Sequence, residues 1–189
     1  MSLTALDPKT ALIVVDLQQG IVGIPLTHAI ADLIAQTCSL IDAFRRHHLP
    51  VVLVNVAGGA PGRTERPRAH RTLPEGWTDL IPELGRQPSD ILVTKRTWGA
   101  FASTDLEARL RAMGVTQVVI AGVATGTAVE ATARQAYEQG FNVTLAIDAM
   151  TDACPEAHEY SLKHVFPRLG ETGSTQDVLE LLAKRSAQQ

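Results

Sequence analysis

The richest chemistry in this sequence lies between Val118 and Arg134. The stretch opens as an apolar, β-branched run (Val118-Val119-Ile120), the pattern of a buried strand. It then passes through Gly122-Val123-Ala124-Thr125-Gly126-Thr127 into helical spacing, with Ala128, Ala131 and Ala136 set among Glu130, Arg134 and Glu138. A strand running through Gly and Thr into a helix leaves free backbone N–H groups at the helix N-terminus. Such a terminus stabilises an anion or a developing oxyanion. The phosphate fingerprints G-x-G-x-x-G and G-x-x-x-x-G-K-[ST] do not fit this turn. A second candidate is Asp16, which follows apolar Leu12–Val15 where a buried strand emerges. Burial raises the pKa of such a carboxyl and a nearby ammonium lowers it. Taken alone, Asp16 reads first as an aspartate capping the turn after a strand.

The elements that must position these residues alternate strand and helix. Strands are expected over Ala11–Val15, Val51–Val56, Ile91–Thr94, Gln117–Ala121 and Asn142–Ile147. Helices are expected over Ala29–His47, from the capping-box pattern Thr104-Asp105-Leu106-Glu107 to about Met113-Gly114, from about Thr127 to Gln139 with Gly140 as its stop, over Pro155–Val165, and over Thr175–Arg185. Short apolar strands separated by helices make an α/β protein with a parallel sheet covered on both faces.

Three motifs in order resemble the isochorismatase-like hydrolases, also called the cysteine hydrolase superfamily. They are Leu12-Ile13-Val14-Val15-Asp16-Leu17-Gln18, then Val93-Thr94-Lys95-Arg96, and Gly122-Val123-Ala124-Thr125-Gly126-Thr127-Ala128-Val129 against the family turn G-[VIL]-x-T-x-x-C-V. The resemblance covers nearly the whole chain. It implies a sixth short strand near Gly170–Gly173 and a three-layer α/β/α, Rossmann-like fold whose six-stranded parallel sheet has the order 3-2-1-4-5-6. It also implies an acid or base tuned by the pair Asp16 and Lys95, an oxyanion hole of the Ala124 and Ala128 N–H groups, a cis bond between Val123 and Ala124, and a homo-oligomer. In that order strands 1 and 4 are neighbours, and the crevice at their carboxyl ends is the expected binding site. Lys95 lies two strands from Asp16, roughly 10 Å at ordinary strand spacing, and must reach back over strand 2. In one position the chain departs from the family: Ala128 stands where the nucleophilic Cys would be.

The candidate catalytic positions are therefore Asp16, Lys95 and Ala128, and the candidate substrate contacts are Gln18, Trp98, Phe101, Val123, Ala124 and Thr125. Trp98 and Phe101 follow Lys95 and suit a pocket wall or a pair of core residues. Gln18 points with Asp16 if the chain stays extended, and is otherwise a turn residue. Without a thiol the turn cannot form the thioester that family amidases use. Cys154, beyond strand 5, is a poor substitute, because lone cysteines usually pack inertly.

Three functions fit. The first is a hydrolase of a small, carboxylate-bearing substrate by non-covalent acid catalysis from Asp16 with Lys95, the vinyl ether hydrolysis of those isochorismatases that also lack the Cys. The second is a cysteine amidase, of nicotinamidase or N-carbamoyl amidase type, whose nucleophile at 128 has been lost. The third is a non-catalytic oligomeric binding protein.

The remaining features narrow the class. The 189 residues, 45% of them hydrophobic, suit one globular domain over 1–189. A net charge of −3 gives no footprint for nucleic acid or an anionic membrane. No apolar run approaches the ~20 residues that span a bilayer. No secretory signal is expected, so cytoplasm is the default. Cys38 and Cys154 make neither a disulfide framework nor a C-x-x-C pair. Family nicotinamidases bind zinc after strand 2, but Val54-Asn55-Val56-Ala57-Gly58-Gly59 offers no such ligands. His47 and His48 end a helix, while His158 and His164 stand six apart, off one face. Neither metal nor cofactor is expected. The long loop from Val56 to Trp77 carries Arg63, Arg66, Arg68, His70 and Arg71. It reads as a basic flap onto substrate or a neighbouring subunit, or as a solvated loop.

Overall fold

The computed structural model describes residues 3–65 and 73–186. Strand β1 (Thr10–Val15) is buried at all six positions, as a central parallel strand with helices on both faces must be. Its neighbours are β2 (Val51–Val56) and β4 (Gln117–Val123), then β3 (Ile91–Lys95), β5 (Asn142–Thr151) and β6 (Glu171–Gly173). All pairs are parallel and the order is β3-β2-β1-β4-β5-β6.

Alternation along each strand divides the core between two helical layers. On one face Ala11, Ile13, Val15, Val118 and Ile120 pack with Leu106 and Leu110 of α3 (Leu106–Ala112) and Ala133 and Ala136 of α4 (Glu130–Glu138). Phe166 of α6 (Phe166–Leu169) joins them. On the other face Leu12, Val14, Leu53 and Val119 pack with Leu33, Leu40, Ile41 and Phe44 of α2 (Ile30–Arg46) and Val178 and Leu182 of α7 (Thr175–Ser186). The apolar positions of α2 recur three and four apart, which puts them on one stripe. Short α1 (Gln19–Val22) follows β1, and α5 (Pro155–Tyr160) follows β5.

Four expectations are corrected. The helix expected from Thr127 begins as a π-wound turn over Thr125–Val129, and α geometry starts at Glu130. The Pro155–Val165 helix likewise changes to π winding over Ser161–Val165. Strand β5 runs past Ile147 to Thr151, because a bulge absorbs the polar Asp148: Ile120 pairs with Leu145, but Gly122 pairs with Met150. Asp148 then takes the Thr175 N–H at 2.6 Å and hydroxyl at 2.9 Å at the start of α7. The capping box before α3 forms only in part. Thr104 Oγ1 accepts the Leu106 N–H at 3.2 Å, whereas Glu107 lies 3.9 Å from Arg111. Among the described residues no helix is long and apolar enough to cross a membrane.

Candidate active site

Asp16 is the first residue past β1 and has a left-handed backbone, φ 55°, uncommon outside glycine. The chain therefore leaves the strand direction at Asp16 instead of continuing extended. Lys95 ends β3 opposite Val56, whereas Val15 sits opposite Val54. From that more advanced register the lysine stem crosses the end of β2, and Nζ lies 2.7 Å from Asp16 Oδ2. The side chains are 1% and 6% exposed, so the pair is screened from water. Lys95 Nζ also donates to Thr97 O at 3.3 Å. The other carboxyl oxygen, Asp16 Oδ1, is buried without a hydrogen-bond partner. Burial raises the Asp16 pKa from 3.8 to about 6, against the charge and hydrogen bond of Lys95, which pull it down. A carboxyl that exchanges its proton near neutrality, with one oxygen unengaged, is equipped to donate it.

The turn beyond β4 adjoins this pair because β1 and β4 are neighbours. Gly122, φ 121°, faces Val15 so closely that a Cβ would stand 2.1 Å from Val15 O. The Val123–Ala124 peptide bond is cis. Ala124 O accepts the N–H groups of Thr127 and Val129 at 3.2 and 3.1 Å. The Gly126 N–H donates to Asp152 Oδ2 at 2.7 Å, and Thr125 Oγ1 shares a hydrogen bond with His158 Nδ1 at 2.8 Å. Thr132 Oγ1 donates to Ala128 O at 2.7 Å and accepts the Ala100 N–H at 3.1 Å. Gln135 Oε1 accepts the N–H groups of Phe101 and Ala102 at 3.0 and 3.3 Å. Through Thr132 and Gln135, helix α4 ties the loop that follows Lys95 to the turn that carries Ala128.

The remaining sequence-expected residues divide. Gln18 is extended, bridges Leu80 and stands just before α1, with its side chain buried. Its amide donates to Val56 O and Trp77 O at 3.1 and 3.2 Å, and its Oε1 accepts the Val56 N–H at 2.7 Å. Those bonds use the amide to clamp β2 and the Trp77 segment onto the rim. Phe101 is a core residue, buried with its ring 5.9 Å from Phe141, while Trp98 is 69% exposed. The side chains of Val123 and Thr125 are enclosed, and the Thr125 hydroxyl is engaged by His158. Ala124 is half-buried, and Ala128 is buried and bears a methyl group alone. Arg63 is exposed; Arg66, Arg68, His70 and Arg71 of the basic loop lie outside the described residues. Among the described residues no group of three or more His, Cys, Asp or Glu could hold a metal ion.

Sequence reasoning missed Thr132, Gln135, Asp152 and His158. Thr132 and Gln135 stand three apart on α4, and that spacing was the available signal. Asp152 and His158 carried no local pattern.

Comparison with known proteins decides the family. The isochorismatase domain model matches residues 10–177. The chain belongs to the isochorismatase family. The isochorismatase family protein YwoC of Bacillus subtilis (strain 168) is 39% identical over 179 residues, covering 91% of this chain and 93% of that protein. Ureidoacrylate amidohydrolase RutB of Stutzerimonas stutzeri (strain A1501) is 32% identical, over 78% and 72% of the two chains. The solved structure of an isochorismatase family protein from Burkholderia thailandensis superposes with a TM-score of 0.92 at 39% identity, covering 96% of this chain and 100% of that one. This protein is thus an isochorismatase-family hydrolase with the six-stranded parallel sheet of that family.

Proposed function

We propose that this isochorismatase-family hydrolase works by non-covalent acid catalysis on a small, carboxylate-bearing vinyl ether. The observation that carries the reading is the state of Asp16: one oxygen on the Lys95 ammonium, the other buried and unpartnered, and the proton held to about pH 6. Lys95 occupies Oδ2, so the transferable proton sits on Oδ1. Asp16 delivers it to the methylene carbon of an enolpyruvyl ether, leaving an oxocarbenium carbon that water attacks, and the proton that water gives up restores the Asp16 acid. The hemiketal collapses to pyruvate and an alcohol. The resulting Asp16 carboxylate is stabilised by the adjacent ammonium, so charge develops where a countercharge already stands. The N–H groups of Ala124 and Ala128, assigned by resemblance, would take substrate oxygens. Ala128 supplies no nucleophile, which is consistent with a route that needs none.

The test is hydrolysis of an enolpyruvyl ether in D2O. One deuterium in the methyl group of the released pyruvate, and loss of turnover in Asp16→Asn, are expected. The rate should hold below about pH 6 and fall about tenfold per pH unit above it, as the acid form of Asp16 is lost. Turnover that survives Asp16→Asn, or pyruvate without methyl deuterium, overturns the reading.

A second reading is favoured by the similarity to an amidohydrolase that acts on ureidoacrylate: a cysteine amidase whose nucleophile at 128 is missing. Ala128→Cys then awakens hydrolysis of small carbamoyl amides, and silence on ureidoacrylate and related amides counts against it.

A further inference from the structure

We infer that His158 is a positioning residue for the Ala124–Ala128 turn, and that the proton on its imidazole sets how the turn is held. The inference rests on the reading of that turn as the part that takes substrate oxygens. The turn is gripped at both ends from outside itself. At the Ala128 end the grip is Thr132, a hydroxyl that does not titrate near neutrality. At the Thr125 end it comes from the segment after β5, where Asp152 Oδ2 takes the Gly126 N–H and His158 Nδ1 bonds Thr125 Oγ1. Helix α5 also presses directly on the turn: a Cβ on Gly126 would stand 2.9 Å from the Ala157 Cβ. Movement at His158 is therefore passed on without an intermediary.

His158 is buried, and its ring packs against that of His28 with centroids 4.7 Å apart. His28 Nδ1 shares a hydrogen bond with Thr151 Oγ1 at 2.9 Å, and Thr27 N–H donates to Asp152 O at 2.8 Å. The loop before α2, the end of β5, α5 and the turn thus form one polar cluster. Its charged and titratable members around the ring are His28 from the loop and Asp152 from the segment just past β5. On its own helix stand Glu156 and Glu159, the latter paired with Lys163 at 2.8 Å. From α4, Glu130 reaches the neighbouring Ser161 at 2.7 Å. Burial, and then the charge of His28, lower the His158 pKa, so the ring is neutral at neutral pH and charges on acidification.

The consequence follows from donor and acceptor rules. Neutral imidazole has one acceptor nitrogen, whereas imidazolium has only donors. In the neutral tautomer whose Nδ1 accepts from Thr125 Oγ1, charging the ring reverses that bond, and the threonine hydroxyl sends its own proton elsewhere. The new positive charge also attracts Asp152, whose carboxylate holds Gly126, and repels His28. The first two of these changes bear on Thr125 and Gly126.

The test is a proton NMR titration of the whole chain from pH 5 to 8, without ligand, in an Asp16→Asn background that removes the Asp16 titration. The Gly126 and Ala128 amide shifts are expected to move with the His158 ring midpoint. In His158→Asn, whose amide can still reach Thr125, that movement disappears while the shifts at pH 8 stay close to those of the parent. In His28→Gln, an exposed change, the His158 midpoint rises and the amide midpoints rise with it. This second variant carries the test if His158→Asn does not fold. A His158 ring that does not titrate in the range, amide shifts that stay flat while it does, shifts that persist in His158→Asn, or shifts that ignore the His28→Gln displacement overturn the inference. Failure of the Asp16 reading shows separately, as turnover retained in Asp16→Asn.

Discussion

Replacing Lys95 by methionine keeps the length of a stem that is almost wholly buried and removes its charge. The wild-type chain already bears a cost for burying Asp16: moving a carboxyl from 3.8 to about 6 corresponds to about 3 kcal/mol of destabilisation once the group is ionised. A raised native pKa means stability that is present at low pH and lost as pH climbs from about 4 to about 6, with no further loss from this group above that. In Lys95→Met the charge and hydrogen bond that restrained the rise are gone, so the loss continues to higher pH at about 1.4 kcal/mol per unit. Removing one partner of a buried pair costs about 3–5 kcal/mol. The variant should therefore lie about 3–5 kcal/mol below wild type at pH 8 and within about 1 kcal/mol at pH 5, where both chains hold the Asp16 proton. Urea unfolding at pH 5, 6, 7 and 8 measures the gap, and the double variant Asp16→Asn/Lys95→Met should show a gap that does not widen with pH. An equal deficit at pH 5 and pH 8 in the single variant would refute the reasoning.

Further outcomes follow from the same geometry. Gly122→Ala sets a methyl against Val15 main chain at a positive φ and should cost more than about 4 kcal/mol, read by urea unfolding. Gln18→Leu removes the amide that bonds Val56 and Trp77 and should cost about 2–4 kcal/mol. Its KM should be unchanged in the folded fraction, and a large rise in KM would restore Gln18 as a substrate contact. Thr132→Val leaves the Ala100 N–H and Ala128 carbonyl without that hydroxyl and should cost about 1–3 kcal/mol, most of it recovered in Thr132→Ser, by thermal melting.

Much of the frame is legible in local pattern because burial imposes period and composition. Leu12–Val15 reads as a strand buried on both faces, and helix α2 begins and ends within a residue of its expected limits, Ala29 and His47. The sheet order came from the family motifs, since strand pairing leaves little local trace. What stayed hidden has a common cause: it depends on where side chains from distant segments meet. The reach of Lys95 looked difficult on strand spacing alone, because spacing ignores its advanced register on Val56 and the left-handed turn at Asp16. Thr132 reads as an ordinary helix residue until Ala100 arrives from a loop 32 residues earlier. His158 and His28 sit far apart in the chain, so no spacing rule unites them. The expected end of β5 at Ile147 misses the bulge, because a polar residue such as Asp148 in an apolar run looks the same whether the strand stops or bulges.

The bulge in β5 gives the molecule a place where length can vary without disturbing the interior. Residues 146–149 stand opposite a single residue of β4, so the pairing below them and the pairing above them are independently registered. Trimming one residue from that slack leaves Thr151 and Asp152, the partners of His28 and Gly126, where the pairing of Thr151 with Val123 holds them. The same edit would draw Asp148 away from the start of α7. Chain length at this one point therefore sets the seating of the closing helix and leaves the residues beside the turn in register.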